Sequence, residues 1–420
     1  MKRLTPLLLL VALVMGACTA SRTTPAGSGG VNRPAQQAKP YVVLISFDGF
    51  RADYLDRYPA PNFQRVAQRG ARAQGLLSIF PSKTFPNHYS IATGMYAEQH
   101  GLVANWFYDP VRGETYGMSI REVVQEGSWY RGEPIWVTAE QQGMVSASYF
   151  WVGSEANVKG IWPTFWKPYA GTVPNEARVD SVLSWLRLPP ARRPHMVTLY
   201  FSEVDDAGHR HGPSAPEVGQ AILNVDRALG RLIDGLDALP YGRDVTLILV
   251  SDHGMAAYTP EHATAIEDLI DTTGVRVADF GPNANLHVRG GPERARAVRD
   301  TLNRKLRYGR AYLRQELPER FHYSADPRIG DIVVVMEVPY LLSPRARLPR
   351  SGGGTHGWDP AAPEMHGLFL AMGPGIRAGA RVPLLPNVEI YPFMTEVLGL
   401  EPGPGIAGRR GWLRRLLGRE

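Results

Sequence analysis

The chain has 420 residues, of which 44% are hydrophobic and 20% are charged, and this composition excludes a disordered or low-complexity chain. Its formal net charge of +6 is modest for this length, and no basic run alternates with aromatic residues, so the sequence does not predict a nucleic-acid-binding groove. The single cysteine, Cys18, excludes an internal disulfide.

The N-terminus has the layout of an export signal. Lys2 and Arg3 precede an apolar run that is too short to span a bilayer comfortably, and the run ends just before Cys18. Cys18 stands where bacterial lipoprotein signals place their cysteine. We therefore expect residues 1–18 to direct export to the periplasm and a lipid anchor in the outer membrane, with a plain signal cut nearby as the alternative. Residues 19–40 are rich in Ser, Thr, Pro, Gly and Gln, which predicts a flexible linker.

The main domain is predicted over residues 41–400. In chain order, its predicted elements are a strand at 41–47, a helix at 62–69, a strand at 75–80, a helix after Thr84, a helix at 176–188, a strand at 196–204, a helix at 218–236, a strand at 245–250, a strand at 367–373 and a helix at 389–398. The runs at 41–47, 196–204 and 245–250 have no polar alternation, which indicates strands buried on both faces. These patterns predict an α/β fold, with a mainly parallel central sheet and helices on both faces.

The sequence also predicts an inserted subdomain and a C-terminal tail. Residues 264–349 are predicted to form an inserted α+β subdomain, with a helix at 292–306 and a strand at 332–338. The basic tail, residues 401–420, ends in an amphipathic stretch. We expect a solvated surface helix there, with contact to anionic lipid as the alternative.

Acidic and imidazole side chains follow the main strands or stand in glycine-rich turns. They are Asp48, Asp205, His209, Asp252, His253 and His356. Aspartate and histidine are preferred zinc ligands, and three aspartates that converge without cations would repel each other. The six residues divide into two sets of three, as in two-metal hydrolases. Any one of them alone is more often structural, and we expect that role for His88, His100, His195, His211, His262, His287, His322 and His366.

The candidate nucleophile is Thr84. Proline suits the first turn of a helix, so Pro86 places Thr84 just before a helix N-terminus, where unpaired N–H groups favour an anion. A threonine hydroxyl needs activation, which metal coordination supplies. A simple capping role for Thr84 is the alternative. Asn105 is a candidate donor to a phosphoryl oxygen.

Six motifs resemble those of the nucleotide pyrophosphatase/phosphodiesterase family, within the alkaline phosphatase superfamily. They are FDGFRADYL, PSKTFPNHYSIATGMYAEQHGLVANWFYD, PIWVTAEQQG, EVDDAGHRHGP, SDHGM and GTHGWDP…MHGLFLAMGPG. The resemblance spans residues 41–400 and implies an alkaline-phosphatase-like fold in a bacterial single-domain member. The implied activity is two-zinc hydrolysis of nucleotide phosphodiester and pyrophosphate bonds, which releases nucleoside monophosphates through a phospho-threonine intermediate.

The resemblance also implies a role for each matched residue. One zinc would be held by Asp205, His209 and His356, and the other by Asp48, Asp252 and His253, with Thr84 bridging toward both. Asn105 and the Thr84 backbone N–H would hold a phosphoryl oxygen, and Phe85 and Tyr200 would sandwich the base. The implied partner is a small nucleotide or phosphodiester, and no protein partner is implied.

The motifs depart from the family at two places. Val204 and Asp206 replace the Pro and Ser of many members, and the four-residue spacing to His209 favours Asp205 over Asp206 as the ligand. Val152 stands where animal members have Pro, in a region that shapes the substrate pocket and thus the leaving-group preference. A phospholipid or choline-phosphodiester phosphodiesterase is the alternative, because the same family includes such members. Arg51 leaves phosphomonoester hydrolysis open, and an envelope binding protein with a degenerate site is the alternative outside enzymes.

Overall fold

The computed structural model describes residues 29–418, and its centre is a mainly parallel sheet. Within those residues the sheet has eight strands, in the order Ala380–Val382, Ala71–Ala73, Phe369–Met372, Val245–Val250, Tyr41–Phe47, Met196–Phe201, Ser146–Tyr149 and Phe165–Lys167. Phe369–Met372 runs antiparallel to both of its neighbours, and the other paired strands run parallel. The predicted α/β class and its mainly parallel sheet are confirmed.

Both faces of this sheet are buried, which explains the unbroken apolar runs. Val42 and Leu44 pack into one core and Val43 and Ile45 into another, because successive strand residues point to opposite faces. The first core is covered by the helices Thr84–Thr93, Ile135–Gln141 and Ile390–Leu398. The second is covered by the helices Pro61–Arg69, Asn175–Leu186 and Pro216–Asp237.

Short elements complete the main domain. The helices among them are Tyr54–Arg57, Ala97–His100, Arg121–Val124 and Glu203–His211. The paired strands are Leu76–Leu77 with Leu385–Pro386, Trp106–Asp109 with Glu114–Gly117, Ala256–Tyr258 with Gly353–Thr355, and Ala263–Ala265 with Leu341–Ser343. The strand predicted at 75–80 is thus only two residues long. Beyond it, the Ile79 N–H donates to Asn87 Oδ1, so a side chain replaces a strand partner.

A second sheet with its own core lies in the inserted segment. Its strands, in order, are Val275–Asp279, Asn283–Val288, Ile332–Met336 and Gly309–Leu313, all paired antiparallel. The helices Ile266–Leu269 and Gly291–Lys305 pack against it. Trp358 and Met365, beyond the predicted range, join the same core.

The two ends of the described chain differ from the expectations. The Asn32 amide donates to the carbonyls of Pro190 and Arg193, and its oxygen accepts from the Val145 N–H, so the predicted linker is fixed to the domain from Asn32 onward. The tail forms the helix Trp412–Leu417, in which Leu413 and Leu417 are buried in the first core and Leu416 is partly buried against it. Its apolar face therefore packs on protein instead of facing solvent or lipid.

The signal predicted over residues 1–18, with Cys18, and the first part of the predicted linker, residues 19–28, lie outside the described residues. In the part of the chain that the structure describes, none of the helices combines the length and the apolar character needed to cross a bilayer.

Candidate active site

Three neighbouring strands bring the acidic residues to one edge of the sheet. Phe47 pairs with Phe201, and Ser46 pairs with Val250, so the three strands end nearly level. Asp48 directly follows the first strand and Asp252 closely follows the third. The second strand ends earlier than predicted, because the helix Glu203–His211 begins there and places Asp205 in its first turn. The carboxyl ends of parallel strands are where α/β proteins collect ligands.

Three histidines present the same ring nitrogen to this cluster. The Nδ1 atoms of His209, His253 and His356 each lie 2.8 Å from a backbone carbonyl, those of Gly354, Gly254 and Ser82 respectively. Because a carbonyl oxygen only accepts, each Nδ1 carries a proton, and in the neutral imidazole the lone pair lies on Nε2. This arrangement fixes the tautomer and orientation of a metal-ligating histidine.

One half of the cluster surrounds His253. Its Nε2 atom lies 3.0 Å from Asp252 Oδ2, 3.4 Å from Asp48 Oδ1 and 3.2 Å from Thr84 Oγ1. Asp48 is oriented by the Tyr200 hydroxyl, which donates to its Oδ2 at 2.6 Å. All of these carboxylate oxygens are buried.

The other half surrounds Asp205. Its carboxylate lies 3.3 Å from His209 Nε2 and 3.9 Å from His356 Nε2. Asp206, the neighbouring acid, is exposed to solvent, whereas the Asp205 carboxylate faces the His209 ring. The imidazole rings of His253 and His356 stack at 3.5 Å between centroids, which joins the two halves.

The electrostatics of the cluster favour a bound cation. Burial, together with the carboxylates of Asp252 and Asp205, raises the pKa of Asp48 well above its usual value. Burial and the nearby His253 lower the pKa of His356 well below its usual value. Burial alone would lower the pKa of His209, but Asp205 raises it to about 9. The protein therefore concentrates carboxylates and at least one neutral imidazole in a buried space, where a divalent cation would remove the repulsion.

Within this cluster, three buried carboxylate oxygens make no hydrogen bond. They are Asp48 Oδ1, Asp205 Oδ1 and Asp252 Oδ2, one from each carboxylate. Buried polar atoms without partners are uncommon in proteins, and here they converge with inward-facing imidazole nitrogens. Hard oxygen donors and imidazole nitrogen suit zinc, so the residues fit a metal centre.

His253 lies between the two halves of the cluster, so the candidate ligands can be divided into two sets in more than one way. The ligand atoms of Asp205, His253 and His356 lie within 4.8 Å of one another, and so do those of Asp48, His88 and Asp252. His88 is not free to bind a metal, because its Nδ1 contacts Thr84 O at 2.9 Å and its Nε2 contacts Ser46 Oγ at 2.7 Å. His253 Nε2 lies 3.0 Å from Asp252 and 3.4 Å from Asp48, so it is also within reach of these two carboxylates.

His88, which was expected to be structural, supports two site residues with its ring. It lies 3.4 Å from Asp252 and contacts the carbonyl of Thr84. The four-residue spacing from Thr84 to His88 in one helix is the signal that identifies such a neighbour.

Thr84 is the first residue of the helix Thr84–Thr93, whereas the sequence predicted it just before the helix. Its side chain does not cap the helix, and its hydroxyl faces His253. Asn105 Oδ1 accepts from the Phe85 N–H at 2.9 Å, which leaves the Asn105 amide NH₂ group available to a ligand.

A cavity of about 440 Å³ opens beside Thr84. Phe85 and Tyr200 both line it, but Tyr200 is only 9% exposed and its hydroxyl is committed to Asp48, so its ring offers little stacking surface. Tyr169 lines the same cavity and is 43% exposed. Glu155 fixes this residue by accepting from the Tyr169 N–H at 2.8 Å. Of the two tyrosines, Tyr169 therefore presents the more exposed ring to the cavity.

Arg51 does not point to phosphomonoester chemistry. Its guanidinium binds Asp53 through two hydrogen bonds of 2.9 Å and donates a third to Met255 O. This arginine is therefore not available to clamp a phosphate dianion.

This site and fold occur together in known proteins. Residues 42–359 match the family model described as type I phosphodiesterase/nucleotide pyrophosphatase. The chain belongs to this family. The family is metal-dependent, and the grouped aspartates and histidines are its candidate metal ligands here.

Curated relatives agree with this assignment. Ectonucleotide pyrophosphatase/phosphodiesterase family member 1 of Mus musculus is 38% identical over 396 residues, which cover 91% of this chain and 43% of the relative. Venom phosphodiesterase 2 of Crotalus adamanteus is 36% identical over 401 residues, which cover 93% of this chain and 49% of the relative. The chain thus spans less than half the length of these relatives.

Among solved structures, an inactive variant of murine ectonucleotide pyrophosphatase/phosphodiesterase 5 in complex with AMP superposes with a TM-score of 0.85. Its sequence is 30% identical, and the match covers 90% of this chain and 100% of that chain. The alkaline-phosphatase-like α/β fold is therefore confirmed.

Proposed function

We propose that the chain is a metal-dependent phosphodiesterase that cleaves nucleotide phosphodiester and pyrophosphate bonds and releases nucleoside monophosphates. The observation that carries this proposal is the position of the Thr84 hydroxyl. It lies 3.2 Å from His253 Nε2, at the edge of the carboxylate cluster and beside an aromatic-lined cavity. The names of the relatives support the proposal, and so does the murine neighbour, whose threonine-to-alanine variant is inactive.

Thr84 is proposed as the nucleophile. Its Oγ1 attacks phosphorus and the leaving oxygen departs, which gives a phospho-threonine that water then hydrolyses. The first-turn N–H groups and the dipole of the ten-residue helix Thr84–Thr93 favour the negatively charged phosphoryl group at this position. The free amide of Asn105 donates to a phosphoryl oxygen.

We assign two zinc ions to the site. Asp205, His209 and His356 would hold one, and Asp48, Asp252 and His253 the other, with Thr84 beside both sets. Bound zinc supplies positive charge that neutralises the converging carboxylates and stabilises negative charge on the reacting oxygens. Tyr200 and His88 act as positioning residues, because they contact Asp48 and Asp252, two of the proposed zinc ligands.

The nucleoside base is proposed to stack between Phe85 and Tyr169. Wild-type protein is expected to hydrolyse a nitrophenyl nucleotide ester with a higher kcat/KM than nitrophenyl-phosphorylcholine. Tyr169→Ala should lower kcat/KM for the nucleotide ester about tenfold or more, mainly through KM, because base–aromatic stacking is lost. The choline ester should be much less affected.

Tyr200→Phe is the matched variant for this test. It keeps the ring but removes the hydrogen bond to Asp48, so it should weaken zinc affinity about 10- to 100-fold and leave KM nearly unchanged. A preference for the choline ester in the wild type, or an unchanged KM in Tyr169→Ala, would refute the nucleotide assignment.

We also propose export to the periplasm and a lipid anchor at Cys18. Lys2, Arg3 and the apolar run before Cys18 support this proposal. Cells that express the chain should incorporate labelled palmitate into it, and Cys18→Ala should abolish the label. Labelling that persists in Cys18→Ala would exclude this anchor.

A further inference from the structure

A separate cavity, of about 510 Å³, lies where the inserted subdomain meets the main domain. The strands Val275–Asp279 and Asn283–Val288 of the subdomain line it, together with the hairpin strand Trp106–Asp109 of the main domain. None of its lining residues lines the cavity beside Thr84 or belongs to the candidate metal ligands. Its volume lies within the range of small-molecule sites, and it has no role in the function proposed above.

Positive charge dominates the wall of this cavity. Arg276, Arg289 and Arg314 line it, whereas Asp331 is the one carboxylate among its lining residues. Within residues 29–418, none of these three guanidinium groups forms an ion pair. Asp331 in turn accepts from the Val288 N–H at 2.7 Å, so one of its oxygens is already engaged. The cavity therefore carries an excess of cationic donors and favours an anionic ligand.

Two nitrogen atoms of the lining side chains are buried without a hydrogen-bond partner. They are Arg314 Nε and His287 Nε2. Such atoms are uncommon, because each one loses its hydration without gaining a replacement. Burial lowers the pKa of His287, and Arg276 and Arg314 lower it further, whereas Asp331 raises it. The described part of the protein thus supplies no acceptor for a buried guanidinium N–H group, which an anion in the cavity would satisfy.

The cavity suits a phosphate group better than an aromatic base. Tyr108 is the one phenol or phenyl ring among its lining residues. The Arg276 guanidinium lies 4.0 Å from the centroid of this ring, and the His287 ring meets it edge-on at 5.2 Å. Little of the Tyr108 ring is therefore left for stacking, but the same contact holds the Arg276 fork in place. A guanidinium fork matches the spacing of phosphate oxygens.

We propose that this cavity binds a phosphate group outside the active site, through the guanidinium groups of Arg276, Arg289 and Arg314. Free inorganic phosphate and the phosphate group of a small ester share this chemistry. The site is independent of Thr84 and of the metal ligands, so it should bind its ligand whether or not the proposed hydrolysis occurs.

Calorimetry of the metal-loaded full chain with inorganic phosphate tests the site. Arg314→Gln should weaken binding at the cavity about tenfold or more, because a charge-assisted hydrogen bond to phosphate is lost. Arg289→Gln, which changes an exposed side chain, should give a similar loss and replaces the first variant if that variant does not fold. Arg307→Gln is the matched control, since Arg307 is an exposed arginine of the same subdomain that does not line the cavity. It should leave the affinity unchanged.

Two further readouts separate the cavity from the metal centre. Inhibition of nitrophenyl nucleotide ester hydrolysis by phosphate reports binding at the metal centre, and its inhibition constant should be the same in all three variants. Crystals soaked with tungstate, a heavy analogue of phosphate, should show anomalous density among the three guanidinium groups in the wild type and none there in Arg314→Gln. The tungstate experiment does not depend on turnover.

Glycerol 3-phosphate distinguishes the two sources of the phosphate group. Binding as tight as that of inorganic phosphate, or tighter, assigns the site to a phosphate ester, and weaker binding assigns it to free phosphate. The proposal is overturned if both Arg314→Gln and Arg289→Gln keep the wild-type affinity, or if Arg307→Gln causes an equal loss. Tungstate density confined to the metal centre would also overturn it.

Discussion

Thr84→Ala is expected to lower kcat for a nitrophenyl nucleotide ester by about 10³-fold or more, because the attacking oxygen is removed and water must replace it. Thr84→Ser keeps that oxygen and should recover part of the loss. The measurement is steady-state hydrolysis of the ester at saturating substrate. Thr84 makes no capping hydrogen bond, so its removal should leave the thermal unfolding midpoint nearly unchanged.

Acid quenching during turnover provides the direct control. The peptide that contains Thr84 should carry one phosphoryl group in the wild type, and the modification should be absent from Thr84→Ala. Full activity in Thr84→Ala, or phosphorylation of another residue, would show that a different group attacks phosphorus.

Removal of metal by a chelator is expected to lower activity about 10³-fold or more, and zinc should restore it. The physical reason is the burial of Asp48, Asp205 and Asp252 in one space. Burial and the neighbouring carboxylates raise the pKa of Asp48, so without a cation the charged form of this carboxylate is disfavoured. Elemental analysis of the active protein should find about two zinc ions per chain.

A matched pair of histidines on one helix tests the ligand assignment. His209 faces Asp205, whereas His211, two residues later, is exposed. His209→Ala should lower the zinc content by one ion per chain, and His211→Ala should leave it unchanged. Equal zinc content in both variants, or equal activity in chelated and reloaded protein, would contradict a two-zinc centre.

The main sheet could be predicted because its strands are buried on both faces. Tyr41–Phe47 and Val245–Val250 are observed at the boundaries that the apolar runs predicted. The acids that follow them were candidates for one site, since parallel strands end at one edge of a sheet. The strand before Asp205 was predicted to end at 204 and ends at Phe201, because the pattern of two or three residues at a strand end does not distinguish strand from helix. Asp205 and His209 lie on one helix, as their four-residue spacing predicted.

Other features could not be predicted, because they depend on contacts between distant segments. Asn32 gave no apolar signal, yet its side chain joins residues more than 100 positions away. Tyr169 was one ring in an aromatic-rich stretch, and only its exposure in the cavity of Phe85 distinguishes it from Tyr200.

The sequence by itself determined the candidate catalytic and metal-binding residues. They are the aspartates and histidines near strand ends and in turns, together with Thr84 near a helix start. Local patterns encode strand burial and helix starts, because they depend on neighbouring side chains. The tertiary structure decided which atoms face each other, such as the Nε2 atoms of the histidines, and it decided that Arg276 and Arg314 line one cavity with Tyr108. Such pairings depend on how the inserted subdomain packs against the main domain, and no local pattern records that contact.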